Sequence, residues 1–194
     1  MKELKTLSER EFQILRQNLE QATGLIFPDD PTRFGELKFH IYSGRQKNEF
    51  HFQVFWGPHN IFSQKHMKES SAGDLIGDLG KSLQKASAKI TRAALQYCED
   101  RLNDFLQIEL QPVLMSNGLN ALEIDIRVRQ SKKTHHVGKN GGWPVWCLLM
   151  SWTDEFGEFQ EFVHNIVFDE QERKFVIQPQ VIVQKFIGYR NSLI

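Results

Sequence analysis

GELKFHIYSGRQKNEFHFQVFWG, residues 35–57, decides the fold class. Leu37, Phe39 and Ile41 alternate with Glu36, Lys38 and His40, and Phe50, Phe52, Val54 and Trp56 repeat the pattern beyond a polar SGRQKN connection. A period of two puts each apolar set on one face of a pleated strand. The stretch therefore reads as a hairpin of two half-buried antiparallel strands.

Upstream the period is helical. Ser8 and Glu11 have the spacing of a capping box, Phe12, Leu15 and Leu19 follow at steps of three and four, and Gly24 stops the run. FPDDPTRFG, residues 27–35, is a loop by its prolines and aspartates. Downstream, residues 72–107 carry one apolar stripe from Leu75 through Leu83, Ile90 and Tyr97 to Phe105, predicting one long helix that breaks near Pro112.

The remainder is β in character. LEIDIRVR, residues 122–129, alternates cleanly, with Leu122, Ile124, Ile126 and Val128 inward. VWCLLMSW, residues 145–152, lacks alternation and reads as a central strand covered on both faces. EFQEFVHNIVF (158–168) and KFVIQPQVIV (174–183) continue a meander, Pro179 marking an edge or a bulge in the last strand. Helices segregated from runs of strands predict an α+β fold. The expectation is a single domain over residues 1–194, a mainly antiparallel sheet with one long and one shorter helix on one face. The stripe 75–105 would cover a sheet face made by Leu37, Phe39, Phe52, Val54, Leu122, Ile124 and Ile126.

Bulk composition narrows the function classes. The 24 basic and 24 acidic residues cancel, so no global field steers the chain to nucleic acid or to an anionic membrane. The first residues carry no apolar signal region, and the longest apolar run, 145–150, is too short to cross a bilayer. Cys98 and Cys147 sit among apolar neighbours without ligand spacing and read as buried free thiols. A cytoplasmic protein without membrane partners is expected.

Motifs for catalysis are weak. GDLGKS (77–82) ends like a phosphate-binding loop but lacks the first glycine and the preceding strand, so it reads as a helix start. His40 and His51 fall on the outward face of the hairpin, where they are placed to approach one another. His59 and His66 fall in the loop that follows, and His135 and His136 are adjacent, so none shows ligand spacing. No metal site and no cofactor are expected. Glu123 and Asp125, on one face of a strand and followed by Arg127, form an imperfect nuclease-like set. Arginine holds its proton and makes a poor base, and an ordinary charged strand face has the same appearance. No nucleophile elbow is present.

The strongest local signal is RVRQSKKTHHVGK, residues 127–139, with five Lys or Arg and no acid. Arg127, Arg129, Lys132, Lys133, His135, His136 and Lys139 are candidate binding residues, with Trp143 placed to stack on a ligand ring. Residues 154–172 contain seven acids and no Lys or Arg, a complement to that segment within one chain or between two copies. The expected function is a non-enzymatic accessory protein acting through this basic loop and acidic meander, by protein binding or self-association. The alternatives are nucleic-acid binding, or a metal-dependent phosphodiesterase using Glu123 and Asp125.

Overall fold

The alternation at residues 35–57 yields the expected hairpin. Strands β1 (Leu37–Ser43) and β2 (Glu49–Trp56) pair antiparallel, with Phe39 opposite Val54 and Ile41 opposite Phe52. These elements come from a computed structural model that describes residues 5–46, 49–70, 73–131 and 143–193. The described residues divide into two compact units, one ending at Tyr97 and the other beginning at Cys98.

In the first unit a third strand, β3 (His59–Lys68), adds to β2 and completes the order β1-β2-β3. Sequence reasoning treats these residues as a loop, and the structure corrects it. β3 is mostly polar, is paired along one side only, and slips register against β2 between Phe50 and Phe52, so period two never builds up. Helix α1 (Glu9–Thr23) starts on the predicted capping box: Ser8 N–H donates to Glu11 Oε2 at 2.8 Å, and Glu11 N–H donates to Ser8 Oγ at 3.3 Å. It covers the apolar sheet face, Phe12 meeting Phe39 edge-on at 5.4 Å.

The centre of this unit is Trp56, fully buried, with Phe27, Phe34 and Tyr97 around it at ring distances of 5.1, 5.6 and 4.9 Å. Phe34 belongs to the short helix α2 (Pro31–Phe34), and Tyr97 Oη donates to its carbonyl at 2.7 Å. Gly57 turns the chain directly after Trp56 at φ 55°, and an added Cβ would lie 2.3 Å from Tyr97 Oη. Both the backbone angle and the close approach require glycine there.

The predicted long helix is two helices, α3 (Leu75–Lys85) and α4 (Ser87–Ser116), separated at Ala86. The stripe does not report the break because Leu83 and Ile90, on either side of it, are both fully buried. Asp74 caps α3, accepting from Gly77 N–H at 2.9 Å, so GDLGKS is a helix start as expected. Pro112 lies inside α4 and does not end it. Leu110 and Leu114 beside it are fully buried, and that packing offsets the interior-proline cost of about 3 kcal/mol.

The second unit follows the predicted strands in part. β4 (Asp125–Gln130), β5 (Trp146–Thr153) and β6 (Phe159–Ile166) form an antiparallel sheet with β5 central, every residue from Trp146 to Trp152 being buried. The outer edge of β4 is covered by α4 side chains. Val128 N–H donates to Asn103 Oδ1 at 2.6 Å, Asn103 Nδ2 returns a bond to Val128 O at 3.4 Å, and Gln107 Nε2 donates to Ile126 O at 3.3 Å. The amide thus imitates one residue of a further strand. Asn103→Leu is expected to cost about 1–3 kcal/mol in urea unfolding, because Val128 N–H loses its acceptor. An unchanged midpoint would show that water replaces the bond at no cost.

Two more expectations are corrected here. The final strand is cut short: β7 (Phe168–Asp169) pairs with β8 (Lys174–Phe175), the first two residues of the expected strand, and then α5 (Pro179–Asn191) begins with Pro179 in its first turn. The β-branched run Val181, Ile182, Val183 suggests strand, yet Ile182, Val183 and Phe186 are buried along a helix face and Phe186 packs on Trp152 and Phe162 at 5.1 and 5.7 Å. Tertiary packing outweighs intrinsic propensity of a few tenths of a kcal/mol per residue. Nor is there one sheet: Leu37, Phe39, Phe52 and Val54 belong to the first unit, Ile124 and Ile126 to the second. Leu122 is 92% exposed. The α+β class stands, both cysteines are buried and unpaired, and no described helix is long and apolar enough to cross a membrane.

Candidate functional site

Glu123 and Asp125 do not share a strand. Asn120 Oδ1 accepts from Leu122 N–H at 3.2 Å and its Nδ2 donates to Glu123 at 2.7 Å, winding residues 121–123 into a 3-10 turn. β4 begins only at Asp125, whose carboxylate pairs with Arg127 at 2.7 Å on the exposed face. The nuclease-like set is therefore divided between a capped turn and a surface ion pair. Arg129 is exposed near the end of β4, while Lys132, Lys133, His135, His136 and Lys139 lie outside the described residues. Trp143 is corrected from a stacking platform to core: it is buried against Phe168 and Phe175, at 6.4 and 5.7 Å.

The acidic meander is better defined. Asp154 organises the β5–β6 turn, its carboxylate accepting from Phe156 N–H at 3.0 Å, Glu158 N–H at 2.9 Å and Gln160 Nε2 at 2.9 Å. The Gln160 amide foremost, then those backbone donors, hold its carboxyl below the usual aspartate value. The turn so fixed displays Phe156, 83% exposed, and Phe159, 69% exposed, with Glu155 and Glu158 exposed beside them. Phe156 borders a cleft of about 150 Å³ with Trp152, Gln160 and Arg190 in its wall. Phe159 borders a second, with Leu122 and Ile126.

A third arrangement, in the first unit, escapes sequence reasoning. Glu49 and His51 are two residues apart on β2 and project to the outward face, and His66 reaches them from β3. His66 stands at the register slip with φ 58°, a left-handed angle rare for residues other than glycine, asparagine, aspartate and histidine. Its Nδ1 bonds Glu49 Oε1, its ring centre lies 5.2 Å from that of His51, and ligand atoms of all three residues fall within 4.8 Å of one another. Glu49 Oε2 accepts from Arg45 N–H at 2.9 Å and Gln46 N–H at 3.0 Å. The carboxylate folds back over Gly44, where a Cβ would lie 2.5 Å from Glu49 Cγ. The Gln46 backbone donor, followed by His66, lowers the Glu49 pKa to about 2. Tyr42, Gln53, Ser63 and Lys65 line an open cleft of about 520 Å³ beside His51. His40, on the same outward face as His51, is paired with Gln53 and contacts Tyr42 Oη at 3.3 Å. The missing signal was β3: without it His66 has no reason to meet Glu49, 17 residues away.

No protein-family model, no curated protein and no solved structure shows significant similarity to this chain.

Proposed function

We propose that the protein acts by binding rather than by catalysis, as an accessory protein that docks on another protein chain, a second copy of itself foremost. The contact is made by the acidic β5–β6 hairpin and the basic segment 127–139. The observation that supports this reading is the pair Phe156 and Phe159, exposed on a turn that Asp154 already holds in one shape. Large aromatic side chains in water, flanked by charge, are the usual anchors of protein interfaces. A turn ordered beforehand loses little conformational entropy on docking. Glu155, Glu158 and Glu161 complement the five Lys or Arg of residues 127–139, and opposite charges at a rim speed encounter and fix register. In a two-fold dimer each copy offers both surfaces, so the contact is made twice.

Sedimentation equilibrium of the full chain tests this. The expected result is a dimer at low salt that dissociates on Phe156→Ser with Phe159→Ser, on Lys132→Glu with Lys133→Glu, and on Glu158→Lys with Glu161→Lys. Combining the last two pairs restores it. Phe156, Glu158 and Phe159 are exposed, so replacing them should shift melting by no more than about 0.5 kcal/mol. A wild-type chain that stays monomeric removes the self-docking reading. Binding to nucleic acid that falls steeply with salt and is not rescued by the combined reversal would replace it with the nucleic-acid reading.

A further inference from the structure

We propose that Glu49, His51 and His66 form a binding site for a zinc-class divalent transition-metal ion, with its remaining coordination positions open to the cleft lined by Tyr42, Gln53, Ser63 and Lys65. The donor chemistry comes first. Two imidazole nitrogens and a carboxylate oxygen suit zinc, cobalt or nickel, whereas the harder magnesium and calcium take oxygen donors. Three protein ligands leave room for water or an exogenous ligand, the arrangement of open rather than closed zinc sites.

Geometry supports the assignment. Donor atoms within 4.8 Å of one another need only modest adjustment to meet an ion through bonds of about 2.0–2.2 Å, His51 drawing in and the His66–Glu49 hydrogen bond opening to admit it. The His66 side chain, 72% exposed, has the freedom to make that adjustment. Glu49, by contrast, is 7% exposed and its Oε2 is fixed by two backbone donors, so Oε1 is aimed before any ion arrives. Outer hydrogen bonds of this kind orient metal-binding carboxylates and tune their affinity. The backbone places the third ligand: the left-handed angle at the register slip, which histidine tolerates, brings the His66 imidazole to Glu49.

The experiment uses the full chain stripped with a chelator and titrated with cobalt(II) alone, read by its visible absorption and by calorimetry, then with zinc(II) in competition. One ion per chain is expected, in a site of fewer than six ligands, with zinc displacing cobalt. His51→Ala should weaken binding at least about tenfold. His66→Gly is the sharper variant: it removes a ligand while relieving the left-handed backbone, so the fold is retained or strengthened as affinity is lost. His40→Ala and His59→Ala, on the same sheet, should leave affinity unchanged. No saturable binding overturns the proposal. So does binding that survives both His51→Ala and His66→Gly, whether or not it then falls with His135→Ala and His136→Ala.

Discussion

Trp56→Ala is expected to lower stability by about 3–5 kcal/mol and to melt the first unit before the second. Trp56 is fully buried, and Phe27, Phe34 and Tyr97 enclose it from the loop after α1, from α2 and from α4. Its removal leaves a cavity whose walls come from three separate elements and close only in part. The loss is a large share of the 5–15 kcal/mol typical of a domain. Hydrogen exchange read amide by amide would show it, with protection lost in β1, β2 and β3 first. Tyr97→Phe is the graded control: it leaves the ring and removes the hydroxyl that donates to Phe34 O at 2.7 Å, a bond worth about 1 kcal/mol net. A Trp56→Ala loss no greater than that of Tyr97→Phe would show that the aromatic cluster is not the centre of this unit.

Ile124→Asp is expected to unfold the second unit. Ile124 is 6% exposed at the junction of the 3-10 turn and β4, and among the described residues no Lys or Arg is buried to pair with a carboxylate there. Burying it costs several kcal/mol, or forces it to stay protonated. Its neighbour gives the contrast. Asp125→Asn removes a surface ion pair to Arg127, whose side chain is 74% exposed, and exposed pairs contribute about 0–1 kcal/mol. Circular dichroism during urea unfolding should therefore separate the two by several kcal/mol, a gap that tracks burial alone. Equal losses would mean that the inward and outward faces of this segment are assigned wrongly.

Local sequence determined a good deal about this protein. Ser8, Glu11 and Gly24 delimit α1 because cap bonds form between residues a few positions apart. Alternation in β1, β2 and β4 assigns their faces, since a pleat repeats every two residues whatever the strand pairs with. The unbroken apolar run at 146–152 marks β5 as central because only a doubly covered strand can bury both faces. The acidic character of residues 154–172 was equally legible, whereas the exposure of Phe156 and Phe159 was not.

What only the tertiary structure decided depends on contacts between distant residues. Periodicity states which face a side chain takes but not which strand lies beside it, so two separate sheets read as one. β3 owes its existence to backbone bonds with β2 rather than to its own polar residues. α5 forms despite a strand-like run because Phe186 finds Trp152 and Phe162. Asn103 guards an edge 25 residues along the chain, and His66 meets Glu49 only through a register slip that no local pattern announces. Caps and faces are local consequences of backbone geometry, whereas pairing partners and converging side chains follow from long-range packing, which no window of neighbouring residues contains.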